Sequence, residues 1–491
     1  MGTSSAKSHS PTNLESLRKV HIIGVGGTLM GAFAAFLKRR GITVTGSDQN
    51  IYPPMSDVLK NAGIETFTGY SVENLTQMKT KPDLVVIGNV ITAANPEAKA
   101  AIDGGYAYSS LPEAMENLML RKTRNLVVAG THGKTTTSSL LAFTLVKCGS
   151  DPSYFIGGVS QDLPHSFHVS KVDSGKFFVL EGDEYDTAFW DKVPKFNHYL
   201  PDDTILTSVE YDHADIYPNL EAVIKAFEGL IQRIRKNGSL IACVDYKNVK
   251  NLLPLSGVST FTYGSEGSSA RFTPANLRVE GEFTQFDVLD AGKKIQSISL
   301  RMSGHHNVLN ALAVWIECVV RLGIDSQKVA DALSQFQGVK RRQEVRGEIR
   351  GVLVIDDFAH HPTAVRETLK ALRSRYPNRR MVAVFEPRSA TSRRKVFQKD
   401  YATAFASADA VFISSPYDQS KISAENQFSS AELVSDIGSA GKKAALMATV
   451  DQGVIDVAKL ATQGDLIAVL SNGGFEGFIP KLLKELEANS K

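Results

Sequence analysis

The stretch Gly130-Thr131-His132-Gly133-Lys134-Thr135-Thr136 constrains this chain more than any other. It follows Asn125-Leu126-Val127-Val128-Ala129, an apolar run that reads as a buried strand, and it precedes a helical pattern expected to begin near Thr136. A strand that feeds a helix through glycines is a βα unit, and such units build parallel sheets. The glycines let successive backbone N–H groups curl around phosphate oxygens, and the start of the helix adds positive potential. Lys134 can neutralise β- and γ-phosphate charge, and the hydroxyl that follows can ligate Mg2+. The usual phosphate-loop spacing places another Gly at position 128, where this chain has Val128; the strand–loop–helix context carries the reading instead.

Strand-like and helical runs alternate along the rest of the chain, so the expected fold class is α/β with parallel sheets. A chain of 491 residues exceeds what one hydrophobic core serves, and three domains are expected. Residues 1–19, rich in Ser, Thr and Lys, read as a flexible leader. Residues 20–121 form a Rossmann-like block. Residues 122–342 form the central block, with a parallel sheet, a small antiparallel appendage from about Ser259 to Met302, and a long helix from Asn307 to Leu322. Residues 343–491 form a second Rossmann-like block. Trp190 and Trp315 read as core.

Further chemistry gathers at predicted strand ends. Glu181-Gly182-Asp183-Glu184 follows Phe177–Leu180, where carboxylates can reach a phosphate-bound Mg2+. Glu210-Tyr211-Asp212-His213-Ala214-Asp215 follows Ile205–Ser208, and its His and Asp residues suit either a metal or a helix cap. Gly24-Val25-Gly26-Gly27-Thr28-Leu29-Met30-Gly31 follows Val20–Ile23, with Asp48 ending the next strand. Leu29 stands where a dinucleotide fingerprint needs its third glycine, which leaves NAD and another pyrophosphate nucleotide both open. Asp356-Asp357-Phe358-Ala359-His360-His361-Pro362, Glu386-Pro387-Arg388 and Asn472-Gly473-Gly474 each follow a strand of the third block. Lys340-Arg341-Arg342 suits a solvated linker or a phosphate clamp.

Composition removes several classes. The net charge is +3, from 55 basic and 52 acidic residues, which is no electrostatic footprint for nucleic acid. No apolar run approaches the roughly 18 residues of a membrane span. Three scattered cysteines build neither a disulfide framework nor a zinc site, and a reducing, cytoplasmic setting is expected.

Taken together, Gly130–Thr136, Glu181, Asp212-His213-Ala214-Asp215, Gly304-His305-His306-Asn307 with Asn310, and Asp356–Pro362 resemble the Mur ligases of peptidoglycan synthesis, over nearly the whole chain from Val20 onward. The N-terminal and Asp-Asp-x-x-His-His-Pro motifs are most similar to the alanine-adding subgroup. Tyr52-Pro53-Pro54-Met55-Ser56, Gly88-Asn89, Asp183–Phe189, Glu386-Pro387-Arg388-Ser389 and Ser471–Phe475 are instead similar to the subgroup that recycles a tripeptide.

The resemblance implies an ATP-dependent ligase that joins L-alanyl-γ-D-glutamyl-meso-diaminopimelate to UDP-N-acetylmuramate through an acyl phosphate, releasing ADP and phosphate; the alternative is addition of L-alanine. It implies Lys134, Glu181 and His213 as catalytic groups and Thr135, Glu181 and His213 as Mg2+ ligands. ATP would meet Gly130, Thr131, His132, Gly133, Lys134, Thr135, Thr136, Asn307, Asn310, Arg342, Asp357 and His361. The UDP-sugar would meet Gly24, Gly26, Gly27, Thr28, Leu29, Met30, Asp48 and Asn89, and the amine substrate Arg388, Ser389 and Asn472. Several Mur ligases carry a carbamylated lysine after the metal-binding His; counting along this chain reaches Glu228, with Lys225 nearby. Two readings outside the family remain: a phosphate-loop NTPase coupled to partner binding, which leaves the first glycine turn unused, and an NAD-dependent dehydrogenase, which explains only the first block.

Overall fold

A computed structural model describes residues 14–52, 55–170 and 176–488. Most of the expected leader, residues 1–13, and the Pro53-Pro54 pair of the Tyr52–Ser56 motif lie outside the described residues. The leader expectation is too long at its end: Leu14–Ser16 forms a 3-10 turn, Leu17 is buried and Lys19 opens the first strand. An apolar residue seated against the core anchors the segment, which a count of polar residues cannot register.

The described chain packs as two compact units. One comprises residues up to Val209 with Ile224–Tyr263 and Ala313–Val329; the other comprises Glu210–Val223, Gly264–Leu312 and the chain from Ala330 onward.

The first unit holds two larger sheets and a two-stranded hairpin. In one, β1 (Lys19–Ile23), β2 (Thr43–Asp48), β3 (Glu65–Thr68), β4 (Leu84–Ile87) and β5 (Tyr108–Ser110) are all parallel, in the order β3-β2-β1-β4-β5. The other contains β6 (Arg124–Ala129), β7 (Ser153–Phe155), β8 (Phe167–His168) and β9 (Phe177–Gly182). After the hairpin β10 (Asp186–Ala188)–β11 (Asp191–Pro194), the same sheet takes β12 (Asp203–Leu206), β13 (Ser239–Cys243) and β14 (Ser259–Tyr263). The order is β14-β13-β12-β6-β9-β7-β8, parallel except for β8. Val128 pairs with Glu181 and Ala129 with Leu206, so β9, β6 and β12 end side by side and their following loops share one edge.

In the second unit, β15 (Phe272–Glu280), β16 (Phe283–Asp290) and β17 (Lys293–Leu300) form the antiparallel appendage. Ser259–Tyr263, expected in that appendage, instead pairs in parallel with β13; a run of five residues does not reveal its pairing direction. The C-terminal sheet has the order β18 (Glu344–Ile349), β19 (Val352–Asp357), β23 (Leu466–Leu470), β20 (Met381–Phe385), β21 (Ala410–Ser414) and β22 (Lys443–Met447). Only β18 is antiparallel. Apolar clusters cover both faces, as the continuous Val, Ile and Leu runs of its strands require.

The expected helix Asn307–Leu322 runs as α-helix over His305–Trp315 and as a π-helical turn over Ile316–Arg321. Trp315 is buried, whereas Trp190 is only half-buried, packed edge-on against Tyr108. Among the described residues no helix is long and apolar enough to cross a membrane.

A histidine ties the helix Leu111–Leu118, after β5, to the β10–β11 hairpin. His198 sits between Asp191 Oδ2 at 2.8 Å and Glu116 Oε2 at 3.1 Å. Burial lowers its pKa, but the hydrogen bonds and charges of the two carboxylates win and push it up to about 9. The imidazolium therefore stabilises the fold fully below its unfolded pKa of about 6.5, and that contribution, on the order of 3 kcal/mol, disappears as pH rises through 9. Denaturant midpoints measured from pH 6 to 9.5 are expected to fall across this window in the wild type and to stay nearly level in His198→Gln.

Candidate functional site

The phosphate loop is shaped by its neighbours. The helix after β6 begins at Lys134, two residues earlier than expected, because Gly133 caps it at φ 82°; the N-cap makes no side-chain hydrogen bond. Gly130 adopts φ 136°, and a Cβ there would lie 2.2 Å from Thr207 Oγ1, so both conformation and space demand glycine. Thr131 N donates to Ser208 O at 3.0 Å and His132 N to Ser208 Oγ at 2.9 Å, which pins the loop to the segment after β12.

Lys134 turns back over this loop. Its Nζ donates to Gly130 O at 2.7 Å and pairs with Glu184 at 2.9 Å. The lysine is 13% and Glu184 2% exposed. Burial lowers the ammonium pKa, but the charges of Glu184, Asp183 and Glu181 outweigh it and raise it, so Lys134 is fully charged. Thr135 Oγ1 donates to Glu181 Oε1 at 2.7 Å, and Gly157 N to Glu181 Oε2 at 2.7 Å. Glu181 is the penultimate residue of β9 rather than the first beyond it; burial raises its pKa against the lowering pull of these two donors. Lys134, Thr135 and Glu181 thus lie together. Glu184 and Asp183 were legible only as an acidic run. The second of these is held ionised, at a pKa of about 2, where Lys195 at 2.6 Å overrides the effect of burial.

In the first sheet, Gly24 has φ 87° and the helix Thr28–Arg39 starts at Thr28 rather than Met30, with Gly27 as an N-cap that makes no side-chain bond. Thr28, Leu29 and Met30 therefore form its first turn, whose N–H groups suit a pyrophosphate. Asp48 accepts from Gly26 N at 2.8 Å and Tyr70 OH at 3.3 Å, so its carboxylate braces the glycine turn. Asn89 lies in the turn closed by Ile91 N to Gly88 O.

The second unit carries the remaining residues. His213 has φ 55°, and its N–H donates to Asp212 Oδ1 at 2.8 Å. Asp212 also accepts from Thr391 Oγ1 at 2.6 Å. Its pKa lies well below the ordinary value: burial opposes ionisation, but the hydrogen bond from His360 and nearby histidine charges win. Asn307 donates to Ser303 O at 2.8 Å, and Asn310 to Asn307 Oδ1 at 3.3 Å. Asp357 accepts from Gln343 N and Ala359 N, both at 2.8 Å, while Arg342 stacks over Phe358. His361 caps the helix Pro362–Arg375 and bonds Tyr211 O at 3.2 Å. Arg388 lies 3.8 Å over the Tyr417 ring and reaches Glu386 Oε1 at 3.2 Å; Ser389 Oγ accepts from Ser392 N at 2.9 Å. The buried Oδ1 of Asn472 has no partner among the described residues. On the helix Leu220–Gln232, Lys225 is exposed and Glu228 half-buried.

Three family models match consecutive stretches: the Mur ligase family catalytic domain over residues 19–123, the Mur ligase middle domain over 128–318, and the Mur ligase glutamate ligase domain over 341–473. The chain is 38% identical, over 95% of its length and 98% of the relative's, to the Escherichia coli UDP-N-acetylmuramate–L-alanyl-γ-D-glutamyl-meso-2,6-diaminoheptandioate ligase. It is 34% identical to the UDP-N-acetylmuramate–L-alanine ligase of Chlorobium phaeobacteroides, over 89% of both chains. Among solved structures it is similar to a murein peptide ligase from Psychrobacter arcticus, with TM-score 0.70 and 33% identity, covering 96% of this chain and 99% of the other.

Proposed function

Because this chain belongs to the Mur ligase family, we propose that it joins L-alanyl-γ-D-glutamyl-meso-diaminopimelate to UDP-N-acetylmuramate, using ATP and releasing ADP and phosphate. The observation that carries the ATP half is the convergence of Lys134, Thr135 and Glu181 at the level ends of β6 and β9. The peptide half rests on the similarity to the E. coli ligase over nearly the whole of both chains.

The sugar carboxylate attacks the γ-phosphorus and ADP leaves; the peptide amine then adds to the acyl phosphate carbon, and phosphate departs as the amide forms. Lys134 supplies fixed positive charge to the moving phosphoryl group. Thr135, Glu181 and His213 are the residues that would hold Mg2+, a hard cation suited to the oxygens of the first two; bound there it would neutralise phosphate charge. Asn307, Asn310, Arg342, Asp357 and His361 are assigned to ATP, the Gly24–Met30 turn with Asp48 and Asn89 to the UDP-sugar, and Arg388, Ser389 and Asn472 to the peptide. Domain boundaries are placed at 20–121, 122–342 and 343–491, and the setting is cytoplasmic, in keeping with three free cysteines.

The second reading, addition of L-alanine, is favoured by the 34% identity to the Chlorobium enzyme. Both reactions use the amino group of an alanyl unit, so the phosphate chemistry does not separate them. In direct competition the tripeptide is expected to show a kcat/KM at least about tenfold above that of free L-alanine, since it adds carboxylates that Arg388 can grip in bidentate fashion. Faster consumption of free L-alanine would replace the first reading with the second.

A further inference from the structure

In the second unit a cavity of about 210 Å³ opens beside β18 and the loop after β23, at the carboxyl end of the C-terminal sheet. Its polar side is formed by Arg341, Arg346 and Asp356, and its apolar side by Val469, Phe475 and Ile479. The ATP chemistry above uses none of these side chains.

The backbone around the cavity is irregular in a concerted way. Arg346 stands where the β18–β19 register shifts, between Val345 and Gly347, so a bulge re-aims it. Arg341 has φ 60°, Phe475 φ 46° and Glu476 φ 49°, left-handed conformations that non-glycine residues adopt at a cost and that cluster at binding sites.

The charges are unequal. Asp356 Oδ2 is shared by Arg346 Nη1 at 3.1 Å and Arg341 Nε at 3.4 Å, so two guanidiniums face one carboxylate in the lining, while Glu344, opposite Asp356 in the register, accepts from Arg341 N at 2.8 Å. Arg341 Nη2 is occupied by Ser471 O at 2.5 Å and Gly473 O at 2.8 Å, which hold the loop after β23 in place. Arg346 is 38% exposed and gives one donor to Asp356, so most of its five-donor fork is available to a ligand.

A guanidinium fork opposite an apolar wall suits a carboxylate on an aliphatic chain. The volume falls below the roughly 300–1,000 Å³ of a site for a whole small molecule, so the cavity takes one end of a longer ligand. Resting on the peptide-joining reaction proposed above, we infer that this cavity holds the carboxylate-ended terminal residue of the acceptor tripeptide, with Arg346 gripping the carboxylate and Val469, Phe475 and Ile479 covering its methylene chain.

The test compares L-alanyl-γ-D-glutamyl-meso-diaminopimelate with the dipeptide L-alanyl-γ-D-glutamate on the full chain. Arg346→Met is expected to raise KM for the tripeptide about 10- to 100-fold. Its KM values for the dipeptide, UDP-N-acetylmuramate and ATP should stay within about twofold of wild type, and the wild type should prefer tripeptide to dipeptide. Arg346→Lys keeps the charge beside Asp356, and so the fold, but not the fork; its tripeptide KM should rise by a smaller factor. Equal shifts for tripeptide and dipeptide would overturn the inference, as would a shift in KM for ATP, which would mark a phosphate site. A lowered Tm with unchanged KM would make the cluster a structural ion pair and overturn it as well. A wild type that ligates only L-alanine would instead overturn the proposed reaction, and the inference with it, before any variant is compared.

Discussion

Lys134→Ala is expected to lower the rate of ligation about 10³-fold or more while UDP-N-acetylmuramate binding stays within about twofold of wild type. The lysine lies in the phosphate loop of one sheet, whereas the groups assigned to the sugar nucleotide cluster at the glycine turn braced by Asp48 in another. A confounding effect follows from the structure, because removing the ammonium strands Glu184, which is 2% exposed, as a buried carboxylate. Breaking a buried pair from one side typically costs about 3–5 kcal/mol. Lys134→Ala should therefore also unfold more readily, and Lys134→Ala/Glu184→Gln should recover most of the stability and none of the activity. Calorimetric titration with UDP-N-acetylmuramate and denaturant unfolding of both variants separate the two effects. Recovery of ligation in the double variant would show that the single one failed through its fold.

Glu181→Ala is the second large effect, an expected loss of about 10²- to 10³-fold in kcat together with a higher Mg2+ requirement. The carboxylate is half-buried near the end of β9, receives the Thr135 hydroxyl at 2.7 Å and the Gly157 N–H at 2.7 Å, and has the hard oxygen chemistry that Mg2+ prefers. Glu181→Gln keeps an oxygen acceptor in place and removes the charge, so it distinguishes a metal role from loop support. If the charge is what matters, the glutamine variant behaves like the alanine one when rate is titrated against Mg2+. A wild-type Mg2+ response in both would remove Glu181 from the metal shell.

Much of the site was legible in the sequence because its code is local. Asn125–Thr136 combines an apolar strand, glycines where the backbone must turn, and a lysine with a hydroxyl directly after it, all within a dozen residues. The parallel sheet then follows from alternation, and the carboxyl ends of its strands follow as the place where chemistry collects. Boundaries slipped where a single residue decides them. Gly133, at φ 82°, starts its helix at Lys134, and Leu17, counted in the expected leader, is buried.

Other features required the folded chain. Glu184 reads as one acid in a run of several, yet it alone among them pairs with Lys134, fifty positions away. His198 carries no motif, and its charge comes from Glu116, 82 residues earlier, and Asp191 on the adjoining hairpin. Arg346 looks like a solvated edge-strand cation until a bulge and Asp356 set its direction. The sequence by itself determined the α/β class, the glycine loop between β6 and its helix, and the strand ends that bear carboxylates, because backbone torsion, hydrophobic alternation and helix starts depend on near neighbours. Only the tertiary structure decided which carboxylate meets Lys134, which way β14 runs and where the cavity beside Arg346 opens. Those outcomes depend on distances and desolvation between residues far apart in the chain, and local spacing carries no record of them.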